Sequence, residues 1–334
     1  MPAPCYHADT PLIPAHYQPA LVLEHARGLD LNSHVLLRHS GLFEEDFASE
    51  ARALSPAQLL AMLANLAQHD AARDAAFQLG QQMLPGHYGA ASLALMQSPD
   101  LGSALRLLVA HQAQLCPLLA PRLSIAGGEV SLDWFDSCGA GATKALLVDL
   151  HMTAVTAMCR WLGGEHLPWR YHFNRTRPRS PEHHQVHLGS ALHFGEQTDS
   201  MRLDARWLDQ PWPRGNARAL ALTQRELADT AGRRSLLQAV REQLFDTIRL
   251  PPTLEHTAQH FGVSPATLKR QLARHGTHFQ ALLDEVRTHV TLQLMQHGGL
   301  DHDAIASHLR FHDARSFRRA FQRWTGLGAA SPCA

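Results

Sequence analysis

The feature that most constrains this 334-residue chain is a pattern that occurs twice near its C-terminal end. The first copy, TLEHTAQHFGVSPATLKRQLARHG, sets Ala258, Gly262 and Leu268 at the offsets of a helix-turn-helix. A small residue lets two helices cross closely, a glycine takes the left-handed turn, and an apolar residue anchors the second helix. Ser264 is a ready N-cap, and Pro265 suits the first helical position. About 48 residues on, AIASHLRFHDARSFRRAFQRW repeats the arrangement. Ala306 answers to Ala258, Arg310 to Gly262, and Phe317 to Leu268 after one extra residue in the turn. Between the copies, Phe279, Leu282, Leu283, Val286, Val290 and Leu294 make one helical stripe that Gly298-Gly299 can end. The pattern predicts an all-α C-terminal domain with two helix-turn-helix units, about 253–275 and 301–325, on a long helix.

Helical spacing then sorts the side chains by face. Leu268 and Leu272 face inward on the first unit's second helix, so Ala266, Lys269, Arg270 and Ala273 face out. In the stretch FRRAFQRWTG, Phe317, Ala320, Phe321 and Trp324 stand at i, i+3, i+4 and i+7 and form an apolar stripe. Arg315, Arg318, Arg319 and Gln322 repeat that spacing on the other side. A basic face of this kind is often merely solvated. Inside a duplicated helix-turn-helix, the planar guanidinium fork, which suits guanine O6/N7 and phosphate oxygens, points instead to double-stranded DNA. Two such elements held about 34 Å apart enter successive major grooves on one face of a duplex.

Charge gives this only mild support. The 30 Lys+Arg balance the 30 Asp+Glu, but residues 252–334 hold nine basic against six acidic side chains, which leaves the body slightly acidic. At 45% hydrophobic residues the chain can build two packed cores. The five cysteines are odd in number, scattered and without a C-x-x-C pair, which suggests neither a disulfide framework nor a thiolate zinc site and fits a reducing cytoplasm. The N-terminal MPAPCYHADTPLIP lacks the basic and apolar regions of a secretory signal, so a cytoplasmic protein is expected. The most apolar window, residues 145–159, carries Asp149 and His151 and is too short to span a bilayer, so no membrane association is expected.

The body is predicted to be α+β, helices first and a modest sheet afterwards. Ser55-Pro56 and Ser98-Pro99 each stand before a helical apolar pattern, as cap and first residue. RLSIAGGEVSLDWF alternates around Gly127-Gly128 as a hairpin does. A helix over 143–162 follows, then strands in WRYHFN and ALHFGEQTDSMRLD. DQPWPRGN, rich in Pro and Gly, is expected to end the body, giving domains at 1–215 and 235–334 with a linker at 216–234.

With these residues in view, the chain resembles a known family. Residues 235–326 are similar to the DNA-binding domain of AraC-type transcription regulators. The likeness is carried by A-x-x-x-G-V-S-x-x-x-L-x-R at Ala258 to Arg270 and by I-A-x-x-L-R-F-x-D-x-x-S-F-R-R-A-F-x-R-W-T-G at Ile305 to Gly326. The body resembles the effector domain of the ornithine-utilisation-regulator branch through GHYG (86–89), SPDLGSALRLL and LHFGEQTDSMRLDARWLDQPWP. The resemblance implies a bacterial activator or repressor that senses a small-molecule effector and binds promoter DNA, and it leaves RNA polymerase and a second copy of the chain open as further partners. Carried over position by position, it assigns DNA contacts to Ser264, Ala266, Thr267, Lys269 and Arg270, and to Ala314, Arg315, Arg318 and Arg319. Two departures stand out. Arg310 occupies the place of the turn glycine, at a cost of roughly 1 kcal/mol if left-handed, so either the second unit sits differently or Arg310 adds a phosphate contact. The chain ends LGAASPCA where the family continues with a proline, a tyrosine and a basic residue, so the last short helix is expected to be missing and target affinity to be lower.

No G-x-G-x-x-G, P-loop, G-x-S-x-G or Cys/His nucleophile pairing is present, and GAGATK (139–144) lacks Walker spacing, so no catalysis and no cofactor are expected. The 24 histidines keep one alternative in view, a metal-dependent enzyme or metal sensor centred on His183, His184 and His187. No H-E-x-x-H accompanies them. His256 and His260, also at i and i+4, fall on the first DNA-binding unit, where a surface role suffices.

Overall fold

The computed structural model describes residues 5–49, 51–69, 74–227, 232–250 and 252–326. They divide into two compact units, a body over Cys5–Ser235 and a helical unit that begins at Leu236.

The body opens with helices. A two-residue strand pair, β1 (Ile13–Pro14) with β2 (Ala53–Leu54), lies among them. Helix Pro56–Ala67 starts as its sequence dictates: Ser55 caps the Gln58 amide while the Gln58 side chain returns to the Ser55 amide. Helix Leu101–Ala110 starts differently from expectation. Its cap is Asp100, whose carboxylate accepts from the Ser103 amide at 2.7 Å, and Ser98 is wholly buried. Asp100 alone has the three-residue reach to an unpaired first-turn amide.

Five further strands form one sheet in the order β3-β4-β7-β5-β6. These are β3 (Leu119–Ala126), β4 (Glu129–Asp136), β5 (Arg170–Phe173), β6 (Leu192–Phe194) and β7 (Ser200–Asp204). Gly127 and Gly128 both have positive φ, 58° and 78°, which a two-residue hairpin turn of this twist requires. The β5–β6 pair is parallel and the others are antiparallel. Period-two alternation sends Leu132, Trp134, Met201, Leu203, Tyr171 and Phe173 into the core. Helix Lys144–Gly163 lies in that core. Trp134 packs on His151 at 5.3 Å between ring centroids, and the Thr156 hydroxyl is 2.7 Å from that of Tyr171.

That helix corrects the expectation of a segment too short for a membrane. Gly141–Gly163 has the length and hydropathy of a span, yet 72% of its apolar window is buried inside the body. Its apolarity is that of a core helix packed on several sides.

The expected linker is corrected as well. Asn216 caps a helix over Ala217–Glu226, and Leu220 and Leu227 belong to the body's core. Trp212, expected to mark the body's end, is buried and its amide donates to the Pro99 carbonyl at 2.7 Å. The units divide between Ser235 and Leu236, because apolar burial at helical spacing overrides the polar composition of 216–226. Residues 228–231 of the stretch lie outside the described residues.

The C-terminal unit is all α: Leu236–Asp246, Leu254–His260, Pro265–Arg274, Phe279–Gly298, His302–His308 and Ala314–Thr325. Gly299, at φ 55°, ends the long helix. The long helix does not bury one stripe. Thr288, His289, Thr291 and Leu292 are buried along with Leu282, Leu283 and Val286, because Leu236–Asp246 and Ala314–Thr325 pack on it from different sides. Arg241 clips the first of these to it through a 2.6 Å bond to Glu285. The chain end LGAASPCA, from Leu327, lies outside the described residues.

Candidate DNA interface

Both helix-turn-helix units are built by the same bonds. In the first, Gly262 takes φ 67°, its amide donates to Gln259, and the Val263 amide reaches back to the Ala258 carbonyl at 3.0 Å. In the second, Arg310 takes φ 59°, its amide donates to Ser307, and Phe311 reaches back to Ala306 at 2.8 Å. Ala258 and Ala306 are buried at the crossings, where a larger side chain would separate the helices. Arg310 is left-handed like the glycine it replaces, so the second turn does not sit differently, and its guanidinium Nε donates to the Arg249 carbonyl at 2.9 Å, so part of its donor capacity is spent inside the unit.

Each second helix has a side-chain cap. The Ser264 hydroxyl accepts from the Thr267 amide at 3.1 Å, and the Asp313 carboxylate accepts from the Ser316 amide at 2.6 Å. That bond, reinforced by the Ser316 hydroxyl, holds the Asp313 carboxyl below the usual aspartate range. Leu268 and Leu272 anchor the first helix, Phe317, Ala320 and Phe321 the second, and all five are buried. Burying Phe317 and Phe321 alone is worth roughly 1.5–3 kcal/mol each, ample to fix which face the arginines present. Beneath this packing, the Arg287 guanidinium of the long helix lies 5.3 Å from the Phe311 ring and 5.9 Å from that of Trp324.

The outward faces carry most of the residues singled out from the sequence. Ser264, Ala266, Lys269 and Arg270 are exposed and Thr267 is half-buried. On the second helix Arg315, Arg318 and Arg319 are exposed. Ala314 is the correction: it is buried at 8% exposure, because it stands three residues before Phe317 and continues the apolar stripe. Arg274 and Arg323 are also exposed and extend the two basic faces. Their i+4 spacing from Arg270 and Arg319 was the signal that could have found them.

Three histidines of the body are each engaged by neighbouring side chains. His183 lies 2.5 Å from Asp74, His184 sits between Arg175 and Asp149, and His187 stacks flat on Phe77 at 4.8 Å. Among the described residues, no group of three or more His, Cys, Asp or Glu side chains is placed to hold a metal ion. His256 and His260 are exposed.

Comparison with known proteins decides the family. Residues 28–212 match the family model of the arabinose-binding domain of AraC transcription regulator, N-terminal, and residues 257–330 match that of a helix-turn-helix domain. The chain belongs to the AraC family of transcription regulators. It joins an effector-binding N-terminal domain to a helix-turn-helix DNA-binding domain. Among relatives of this AraC-type chain, the ornithine utilization regulator of Pseudomonas aeruginosa is 27% identical over 253 residues, covering 74% of this chain and 75% of its own. An uncharacterized HTH-type transcriptional regulator of Mycobacterium tuberculosis is 30% identical over 138 residues, 40% of each chain. The crystal structure of the transcriptional regulator CdpR from Pseudomonas aeruginosa aligns over 93% of this chain and 96% of its own, at 18% identity and a TM-score of 0.40.

Proposed function

We propose that this regulator reads promoter DNA with its two helix-turn-helix units in successive major grooves. Ser264, Ala266, Thr267, Lys269 and Arg270 make the contacts of the first unit, and Arg315, Arg318 and Arg319 those of the second. The observation that carries this reading is the duplicated turn, in which the same backbone bonds hold two capped helices whose cationic faces are exposed. Arg270 and Arg319 are suited to bidentate contacts with guanine, whereas Lys269 acts as a point charge for phosphate. A small molecule bound in the body changes DNA affinity only through differential affinity for the two states of the chain. Regulation without catalysis, a cytoplasmic location, and contact with RNA polymerase or a second copy of the chain complete the reading.

The test is an electrophoretic or fluorescence titration on an operator selected from random duplexes. Affinity is expected to fall steeply and linearly on a log–log salt plot, because each neutralised phosphate releases counterions. Arg270→Ala and Arg319→Ala are each expected to weaken specific binding by about 1–3 kcal/mol and to relax preference at one base position. Full affinity in both variants would remove these helices as the reading heads.

A further inference from the structure

The body contains a cleft of about 490 Å³ whose walls include Thr153, Arg160, Trp161, His166, His187 and Arg214. That volume is in the range that encloses a small organic ligand. Its chemistry is one-sided. Among the described residues, two guanidiniums and two imidazoles line it and no Asp or Glu does. The Arg214 guanidinium lies 4.8 Å from the Trp161 ring centroid, a contact that positions the charge without neutralising it. Thr153 is 2% exposed, and its hydroxyl has no hydrogen-bond partner among the described residues. Its neighbour Thr156, one turn along the same wall, has both its partners, the Met152 carbonyl and Tyr171. A buried hydroxyl left unpaired is destabilising, and a ligand oxygen at that position would relieve it. His187 is oriented for the same role. The Gln81 amide nitrogen donates to its Nδ1 at 2.9 Å, which leaves Nε2 carrying the proton and free to donate.

We propose that this cleft is the effector site and that it takes a small organic carboxylate, with Arg160 and Arg214 on the anionic group, Trp161 against the body of the molecule, and Thr153 hydrogen-bonded at the inner end. The proposal rests on the body's being an effector-binding domain, and it names an acid as the ligand class. Guanidinium and carboxylate match in planar, two-bond geometry, which water or a hydroxyl group does not reproduce. The aromatic wall favours an acid with a flat or apolar body over a bare inorganic ion.

The test uses the full chain in thermal melting and calorimetric titration. The panel pairs each of a set of carboxylates, among them benzoate, succinate and glutamate, with its neutral amide, and adds L-arabinose and inorganic phosphate. At least one carboxylate is expected to raise the melting temperature where its amide does not. Arg160→Ala and Arg214→Ala should each weaken that binding tenfold or more, and Thr153→Val severalfold. The melting temperature without ligand should stay close to that of the unaltered chain in all three, which shows that the body folds. The proposal is overturned if no carboxylate binds, if amides, arabinose or phosphate bind as well, or if both arginine variants keep full affinity. A carboxylate that binds through the arginines but leaves DNA affinity unaltered upholds the site and removes the coupling to DNA.

Discussion

Arg310 shows how one side chain can replace a glycine at a price the rest of the turn absorbs. A non-glycine residue at φ 59° costs about 1–2 kcal/mol in left-handed strain. The bond from its Nε to the Arg249 carbonyl returns about 0.5–1.5 kcal/mol, less where water competes. Arg310→Gly removes both terms, whereas Arg310→Ala removes the bond and keeps the strain. The glycine variant is therefore expected to be about 1 kcal/mol more stable than the alanine variant in urea unfolding. Gly262→Ala is the matching control. A Cβ there meets nothing within 4 Å, so its loss of about 1 kcal/mol is purely conformational. Equal stability of the two Arg310 variants would show that the turn relaxes out of the left-handed region. The sequence identified this residue because the repeat fixes its offset. It gave no hint of Arg249, which lies 61 positions away.

Between elements, helix Ala75–Met83 packs tightly against helix Lys144–Gly163, and Gly80 makes the approach possible. A Cβ on Gly80 would stand 2.6 Å from the Leu150 carbonyl oxygen and 2.7 Å from the Thr153 Cβ. Alanine gains about 1 kcal/mol in helix propensity, but backbone and a buried Cβ cannot step aside. Gly80→Ala should destabilise the body by about 1–3 kcal/mol net, measured by denaturant midpoint. At Gly28, where a Cβ meets nothing, alanine should not destabilise. Elements whose signal is local were legible: the Gly127-Gly128 hairpin, the Ser55 cap and both arginine-bearing helices follow from period and turn chemistry. Strand order was not. That β7 lies between β4 and β5 depends on pairing across the core, which alternation within a strand does not encode. The cleft was equally hidden, since Gln81, Thr153 to His166, His187 and Arg214 come from four separate stretches with no common spacing. Ala314 was legible as a core position, since its three-residue offset from Phe317 continues the apolar stripe.

For the molecule as a whole, buried histidines make stability depend on pH. His151, fully enclosed, has its pKa pushed down to about 4 by burial, and its Nδ1–H donates to the Leu147 carbonyl at 2.7 Å. His172 on β5 is pushed down to about 3, by burial first and then by Arg202, His193 and Arg170, although Glu196 stands 3.5 Å away. The carboxylate is partly exposed and does not outweigh desolvation, so this contact is no salt bridge near neutrality. Both rings are neutral when folded and take a proton near pH 6.5 when unfolded. Below pH 6.5 the unfolded chain thus binds more protons, and stability falls as pH falls, until about pH 4 for His151 and about pH 3 for His172. At about 1.4 kcal/mol per pH unit and group, the pair removes on the order of 4 kcal/mol between pH 6.5 and 4.5. That is a large share of the roughly 5–15 kcal/mol that holds a domain folded. Urea midpoints across this range should drop in the wild-type chain. In His151→Gln and in His172→Gln the drop should shrink by about half, with no change in slope above pH 7.5. A wild-type slope retained in both variants would mean that the acid sensitivity belongs to other groups.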